Sequence, residues 1–273
     1  MSDSVHQIKS YWRYYWRAKT IYQIHSPFLF RYLTTTRDAS KLYYDFQEFD
    51  DRRRLLELDQ RSVRDEDPGA GSHKSPKELT VGHIAKTALS SRKKCEWLYR
   101  TVLFLEPEST IELGASLGLS TLYLAGACPN GHVYSLEGRP TIARVAQHIA
   151  DVSSCNNITI VPGLFEDTLV PLLGELKQLD FVILDGNHRY DPTMKYAQQI
   201  LKDHKPTVML VDDIYWSKEM TKAWEELKNR PEFNVAIDFY DYGILFYRPE
   251  IEKRIDIAYI DYYKKFWKFG LWN

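Results

Sequence analysis

The sequence predicts an α/β protein: a mostly parallel sheet covered by helices, with a helical extension ahead of it. Two observations carry this. After residue 105, short apolar runs alternate with amphipathic segments, as strands joined by helical crossovers do. A glycine-bearing turn, TIELGASLGLST (110–121), then links the first apolar run to a polar helix start.

Taken in order, residues 1–78 read as helices joined by an exposed loop, with the charged run DDRRRLLELDQRSVRDED and the turn PGAGS (68–72). That turn is expected either to form part of a lid that closes over a bound ligand or to be a disordered surface loop. Segments 79–89 and 92–105 have helical spacing, the second placing Cys95, Leu98, Val102 and Leu105 on one side. Strands are expected at 110–113, 132–136, 158–161, 181–184 and 208–211. Pro140 opens a helix burying Ile142, Val145, Ala146 and Ile149. Asp191 caps another, with Pro192 at its first position, and Ser217 caps a third that turns Met220, Trp224 and Leu227 inward. Runs 234–240 and 243–248 are joined too tightly for a parallel crossover and should pair antiparallel. The domain reading is an extension at 1–78, a ligand-binding domain at 79–248 and an aromatic, basic helical tail at 249–273.

Composition narrows the partners. A chain of 273 residues can bury one large core, and a net charge of -1 gives no whole-chain attraction to nucleic acid. The three cysteines, Cys95, Cys128 and Cys155, lack metal or redox spacing and suit a reducing compartment. No stretch approaches a membrane span and the first residues lack an apolar signal region, so a cytoplasmic protein is expected. The aromatic and basic segments SYWRYYWRAK (10–19) and DYYKKFWKFGLWN (261–273) are expected to pack on the sheet domain or across a homodimer interface. On a helix Trp12, Tyr15, Trp16 and Lys19 share a face.

Three ligands compete for the glycine turn. A phosphate loop needs Lys-Ser or Lys-Thr after its last glycine, but Leu119 and Ser120 follow Gly118. A dinucleotide fingerprint needs G-x-G-x-x-G, and Gly114 to Gly118 lacks the first pair. Glu112, just ahead of Gly114, would repel a pyrophosphate and suit a cationic ligand such as S-adenosylmethionine. Glu137 ends the next strand in SLEG, beside Gly138, where an acid can accept from both ribose hydroxyls. Leu164 or Phe165, after the third strand, could lie along adenine. Another nucleotide-type ligand stays open.

The segment from Glu112 to Thr121 resembles the first motif of class I S-adenosylmethionine-dependent methyltransferases, in the catechol O-methyltransferase-like branch. The resemblance spans roughly residues 79–248. It implies a Rossmann-like, seven-stranded sheet with the last strand inserted antiparallel. It also implies cofactor contacts at Glu112, Gly114, Ser116, Gly118, Ser120, Glu137, Gly138, Phe165 and Asp185.

The fourth and fifth strands end in LDGNHRY and VDDIYW, which brings Asp185, Asp212 and Asp213 to the carboxyl ends of the strands. Crowded carboxylates repel unless protonated, paired or bridged by a hard cation such as Mg²⁺. By motif position the resemblance maps a divalent metal onto these three, with an acid in place of the usual amide and His188 in place of the usual lysine. Histidine changes charge near neutral pH, so His188 is a candidate general base beside Asp185. Tyr190, Tyr215 and Trp216 are candidate walls for an acceptor. The expected activity is methylation of a small-molecule hydroxyl. The alternatives are methylation of nitrogen or nucleic acid, or non-catalytic cofactor binding.

Overall fold

The computed structural model describes residues 2–63 and 79–261. Ahead of the sheet lie α1 (Ser2–Arg17), a 3-10 turn (Ile21–Gln23), α2 (Pro27–Thr36) and α3 (Asp45–Leu58). The short strands β1 (Ser62–Val63) and β2 (Leu79–Thr80) pair antiparallel, and α4 (Val81–Ala88) and α5 (Arg92–Leu105) follow. The alternating part runs β3 (Ser109–Leu113), α6 (Leu119–Ala127), β4 (His132–Glu137), α7 (Pro140–Asp151), β5 (Ile158–Pro162), α8 (Phe165–Glu175) and β6 (Phe181–Leu184). It continues with α9 (Tyr190–Asp203), β7 (Val208–Asp212), α10 (Lys218–Lys228), β8 (Val235–Asp238), β9 (Tyr242–Phe246) and β10 (Ile255–Ala258).

The main sheet has the order β10-β8-β9-β7-β6-β3-β4-β5. Only β9 runs against its neighbours, antiparallel to both β7 and β8. The expected hairpin is present, and the inserted antiparallel strand is β9. The sheet has eight strands rather than seven, because β10 pairs parallel with β8 at the edge. That strand also corrects the expected helical tail: Ile257 and Ala258 are buried, and the alternation of Ile255 and Ile257 suits an edge strand. Residues 262–273, like the turn at 68–72 expected to act as a lid, lie outside the described residues.

Both faces of the sheet are covered, so β6 at its centre is apolar throughout. Phe181 and Ile183 of β6 join one core with α2 to α7, while Val182 and Leu184 join the other with α1 and α8 to α10. Leu29, Tyr32 and Leu33 of α2 and Phe46 and Phe49 of α3 are buried in the first of these cores. Helix α1 turns Tyr14 and Tyr15 inward, as the chain just after it does Ala18, leaving Trp12 and Trp16 exposed; on the sequence pattern Trp12 and Trp16 share a face with Tyr15. The inward side is set by Tyr240, whose ring meets Tyr11 at 5.1 Å and Tyr14 at 5.5 Å. Ser217 caps α10 as expected, accepting from the Met220 amide at 3.1 Å. Helix α9 begins earlier than expected: Arg189 holds the capping position, and Asp191 and Pro192 fall in the first turn.

Candidate active site

The glycine turn after β3 is built by close approach. Gly114 has φ of +110°, and a Cβ there would lie 2.3 Å from the Asp185 carbonyl oxygen. Glycine is needed on both counts. The amides of Gly114 and Ala115 both donate to the Leu136 carbonyl, at 2.9 and 3.0 Å, locking the turn to β4. Gly118 has φ of +81°, and a Cβ there would meet Ala146 Cα of α7 at 3.0 Å. Its role is to let α6 start close against α7.

Glu112 corrects the sequence reading. Its neighbours Ile111 and Leu113 face the core beside α8 to α10, so strand alternation sends Glu112 under α6. There its buried carboxylate accepts from the Thr121 hydroxyl at 2.6 Å and from the Ser135 hydroxyl, and the Ser120 side chain also bonds it. Burial pushes its pKa up despite these bonds. Glu112, Gly118 and Ser120 do not line the cavity; they brace the turn from beneath.

At the carboxyl end of the sheet lies a cavity of about 640 Å³ lined by Gly114, Ser116, Glu137, Gly138, Phe165, Asp185 and His188, among others. Glu137 ends β4 there. One carboxylate oxygen accepts from the Ser116 amide at 2.9 Å and the other from the Arg139 amide at 3.0 Å. The Arg139 Nε also donates to the second of these at 3.5 Å, whereas the oxygen on the Ser116 amide keeps capacity for a further donor. Ser116 has φ of +48°, and its buried hydroxyl has no hydrogen-bond partner among the described residues. Phe165 meets Tyr196 edge-on at 5.7 Å, and its ring fills the space a Cβ on Gly186 would take.

The acids gather as expected, but around a residue the sequence reading missed. Lys94, from the first turn of α5, donates to Asp212 and lies 3.6 Å from Asp185. Burial disfavours its charge, yet the Asp185 and Asp212 charges outweigh this and raise its pKa. Burial also opposes ionisation of Asp212, but Lys94 holds its carboxyl below the usual range. Asp185, buried and next to that charge, is raised well above it. His188 stands between Asp185 (Nε2 to Oδ1, 3.9 Å) and Asp213 (Nδ1 to Oδ2, 3.7 Å). Burial and the Asp212 charge raise Asp213. The sequence signal for Lys94 was weak: it shares the first turn of α5 with Arg92 and Lys93, all of which oppose the helix dipole.

The expected metal set does not fit. Among the described residues no group of three or more His, Cys, Asp or Glu side chains is placed to hold an ion. The ammonium of Lys94 is instead the cation against Asp185 and Asp212.

Further hollows adjoin the cluster. One of about 570 Å³ is lined by Arg37, Lys94, Trp97, Asp241 and Tyr242, among others. A smaller one, about 240 Å³, is lined by Gln7, Asp213, Tyr215, Trp216, Tyr240 and Asp241. Tyr215 and Trp216 line this smaller hollow, whereas Tyr190 turns to α10, donating to Glu226, with Lys222 4.0 Å from its ring centre.

Residues 111–214 match a family described as a methyltransferase domain. Solved structures share the fold of this chain. An O-methyltransferase from Bacillus cereus in complex with SAH is 15% identical, with a TM-score of 0.54 over 80% of this chain and 96% of that one. The O-methyltransferase TomG from Streptomyces achromogenes, in complex with SAM, is 16% identical, with a TM-score of 0.52 over 78% and 95%. The SAH-bound Podospora anserina methyltransferase PaMTH1 is 15% identical, with a TM-score of 0.52 over 76% and 98%. The matched stretch runs from within β3 to just past β7 and so contains the glycine turn, Glu137, Asp185 and Asp212.

Proposed function

We propose that the chain is an S-adenosylmethionine-dependent O-methyltransferase acting on a hydroxyl of a small molecule. The observation that carries this is Glu137. Its carboxylate is fixed by two backbone amides at the cavity wall, one strand over from the glycine turn. The neighbours of like fold described above, O-methyltransferases with SAH or SAM bound, support the same choice.

The residues fit the cofactor. Glu137 would accept from the ribose hydroxyls, the unpartnered Ser116 hydroxyl would take a polar atom, and Phe165 would lie along the adenine. Gly114 and Gly138 keep the wall open to the backbone. When bound, the cofactor supplies a methyl group on a sulfonium that leaves as a neutral thioether. The chain then has to align an acceptor oxygen and remove its proton, and alignment alone can lower a barrier by about 7–11 kcal/mol. His188, flanked by Asp185 and Asp213, takes the proton, and the two carboxyl groups stabilise the imidazolium that forms. Nothing in this scheme requires the divalent ion expected from the sequence. A cytoplasmic location suits three thiols that are all unpaired. A homodimer would cover Val5, Ile8 and Trp12, which stand exposed along one side of α1.

Calorimetric titration of S-adenosylmethionine tests the reading. Wild type should bind one equivalent, and Glu137→Ala should lose about ten- to a hundredfold in affinity, the scale of charge-assisted bonds to the ribose. A wild type with no measurable affinity defeats the proposal.

A further inference from the structure

Lys94 and the carboxylates around it form a charge arrangement complete in itself. Its side chain is only 13% exposed, and its ammonium sits against Asp212 and 3.6 Å from Asp185. Burying an ammonium in the first turn of a helix is unfavourable unless opposite charge holds it there. Lys94 also lines the 570 Å³ hollow with Arg37, Trp97 and Tyr242, so one face of the side chain borders space that a small molecule could enter. An ammonium has three N–H donors, and Asp212 takes one of them.

We propose that Lys94 is the resident cation of this site, standing where the family resemblance places a divalent ion. The chain thereby neutralises Asp185 and Asp212 itself and meets an acceptor oxygen with an N–H donor. A divalent ion at the same carboxylates would lie within ion-pair distance of the ammonium and be repelled by it. The acceptor part of this inference rests on the methyltransferase reading; the exclusion of a metal rests on the charge arrangement alone.

Mn²⁺ titration followed by electron paramagnetic resonance tests it, with the thermal shift on adding S-adenosylhomocysteine as a parallel readout. Wild type should show no stoichiometric Mn²⁺ site. Lys94→Ala should gain about tenfold or more in Mn²⁺ affinity, because the carboxylates lose their cation. Asp185→Asn in that background should abolish the gain. The inference is overturned if wild type takes up one Mn²⁺ per chain and loses it in Asp212→Asn. Equal affinity in wild type and Lys94→Ala overturns it as well. Lys94→Met, which keeps the packing of the stem, gives the same comparison should the alanine variant not fold. Metal uptake by a wild type that still shifts with S-adenosylhomocysteine sinks this inference and leaves the proposed function standing. A missing shift defeats the proposed function and with it the acceptor part, and leaves the exclusion of a metal standing.

Discussion

Asp238, at the end of β8, shows how much the mouth of the sheet strains single residues. Its buried carboxylate accepts from the Tyr215 hydroxyl at 2.6 Å and the Tyr240 amide at 2.8 Å. The second bond helps hold Tyr240 at φ of +74°, a conformation a bulky side chain rarely takes. Ser116, Asn187 and Asp213, in the loops after β3, β6 and β7, have positive φ as well. Such residues cost roughly 1–3 kcal/mol each, and their gathering at one mouth fits a site shaped for a ligand. Burial pushes Asp238 up to about 6. The unfolded chain releases this proton near pH 4, so folding takes up a proton between about pH 4 and 6 and stability falls as pH rises through that window. A shift of about two units corresponds to roughly 3 kcal/mol. Asp238→Asn should therefore gain on wild type by up to that amount between pH 4 and 7 in urea unfolding. Parallel pH profiles would remove the argument.

At the scale of elements, α10 is fitted to the reversed strand. Trp224 lies flat over Gly243 of β9, so closely that a Cβ there would meet its ring at 2.4 Å. Gly243→Ala should destabilise the protein by about 1–3 kcal/mol through overpacking. It should leave S-adenosylmethionine affinity unchanged, since neither residue lines the cavity. A full loss of cofactor binding in a folded variant would show that the packing of β9 also shapes the site. The reversal has a consequence for chemistry. Because β8 runs parallel to β7, the link from β8 to β9 returns at the same mouth and brings Tyr240 and Asp241 beside Asp213.

Over the whole molecule, the two ends of the chain close the sheet edge. Strand β10 covers β8, and the segment after α1 covers β10 in turn: the Lys19 amide donates to the Ala258 carbonyl at 2.7 Å and the Lys19 carbonyl accepts from Ile260 at 2.9 Å. The Tyr14 hydroxyl donates to the Tyr259 carbonyl, and Arg37 pairs with Asp261. A chain ending at Arg254 would bare the β8 edge, with Val235 and Ile237 on it, and should melt lower and aggregate. Light scattering during thermal unfolding would report this. Unchanged melting and no added scattering would mean that the edge needs no cover.

Local pattern wrote most of the fold. The apolar runs of β3 to β9, the proline and serine helix starts, the glycine turn and the acids at strand ends are all spelled within a few neighbouring residues, and periodicity and turn chemistry act at that range. Strand β10 escaped because four residues among charges carry too little pattern. Glu112 was placed in the right strand but on the wrong side of the argument, since only the packing of α6 shows that Thr121 and Ser135 claim it. Lys94 escaped most completely. It lies 118 residues from Asp212, in a helix that precedes the sheet. The partner of a buried charge is chosen by whatever the folded chain brings within a few ångströms, and sequence spacing holds no record of that distance.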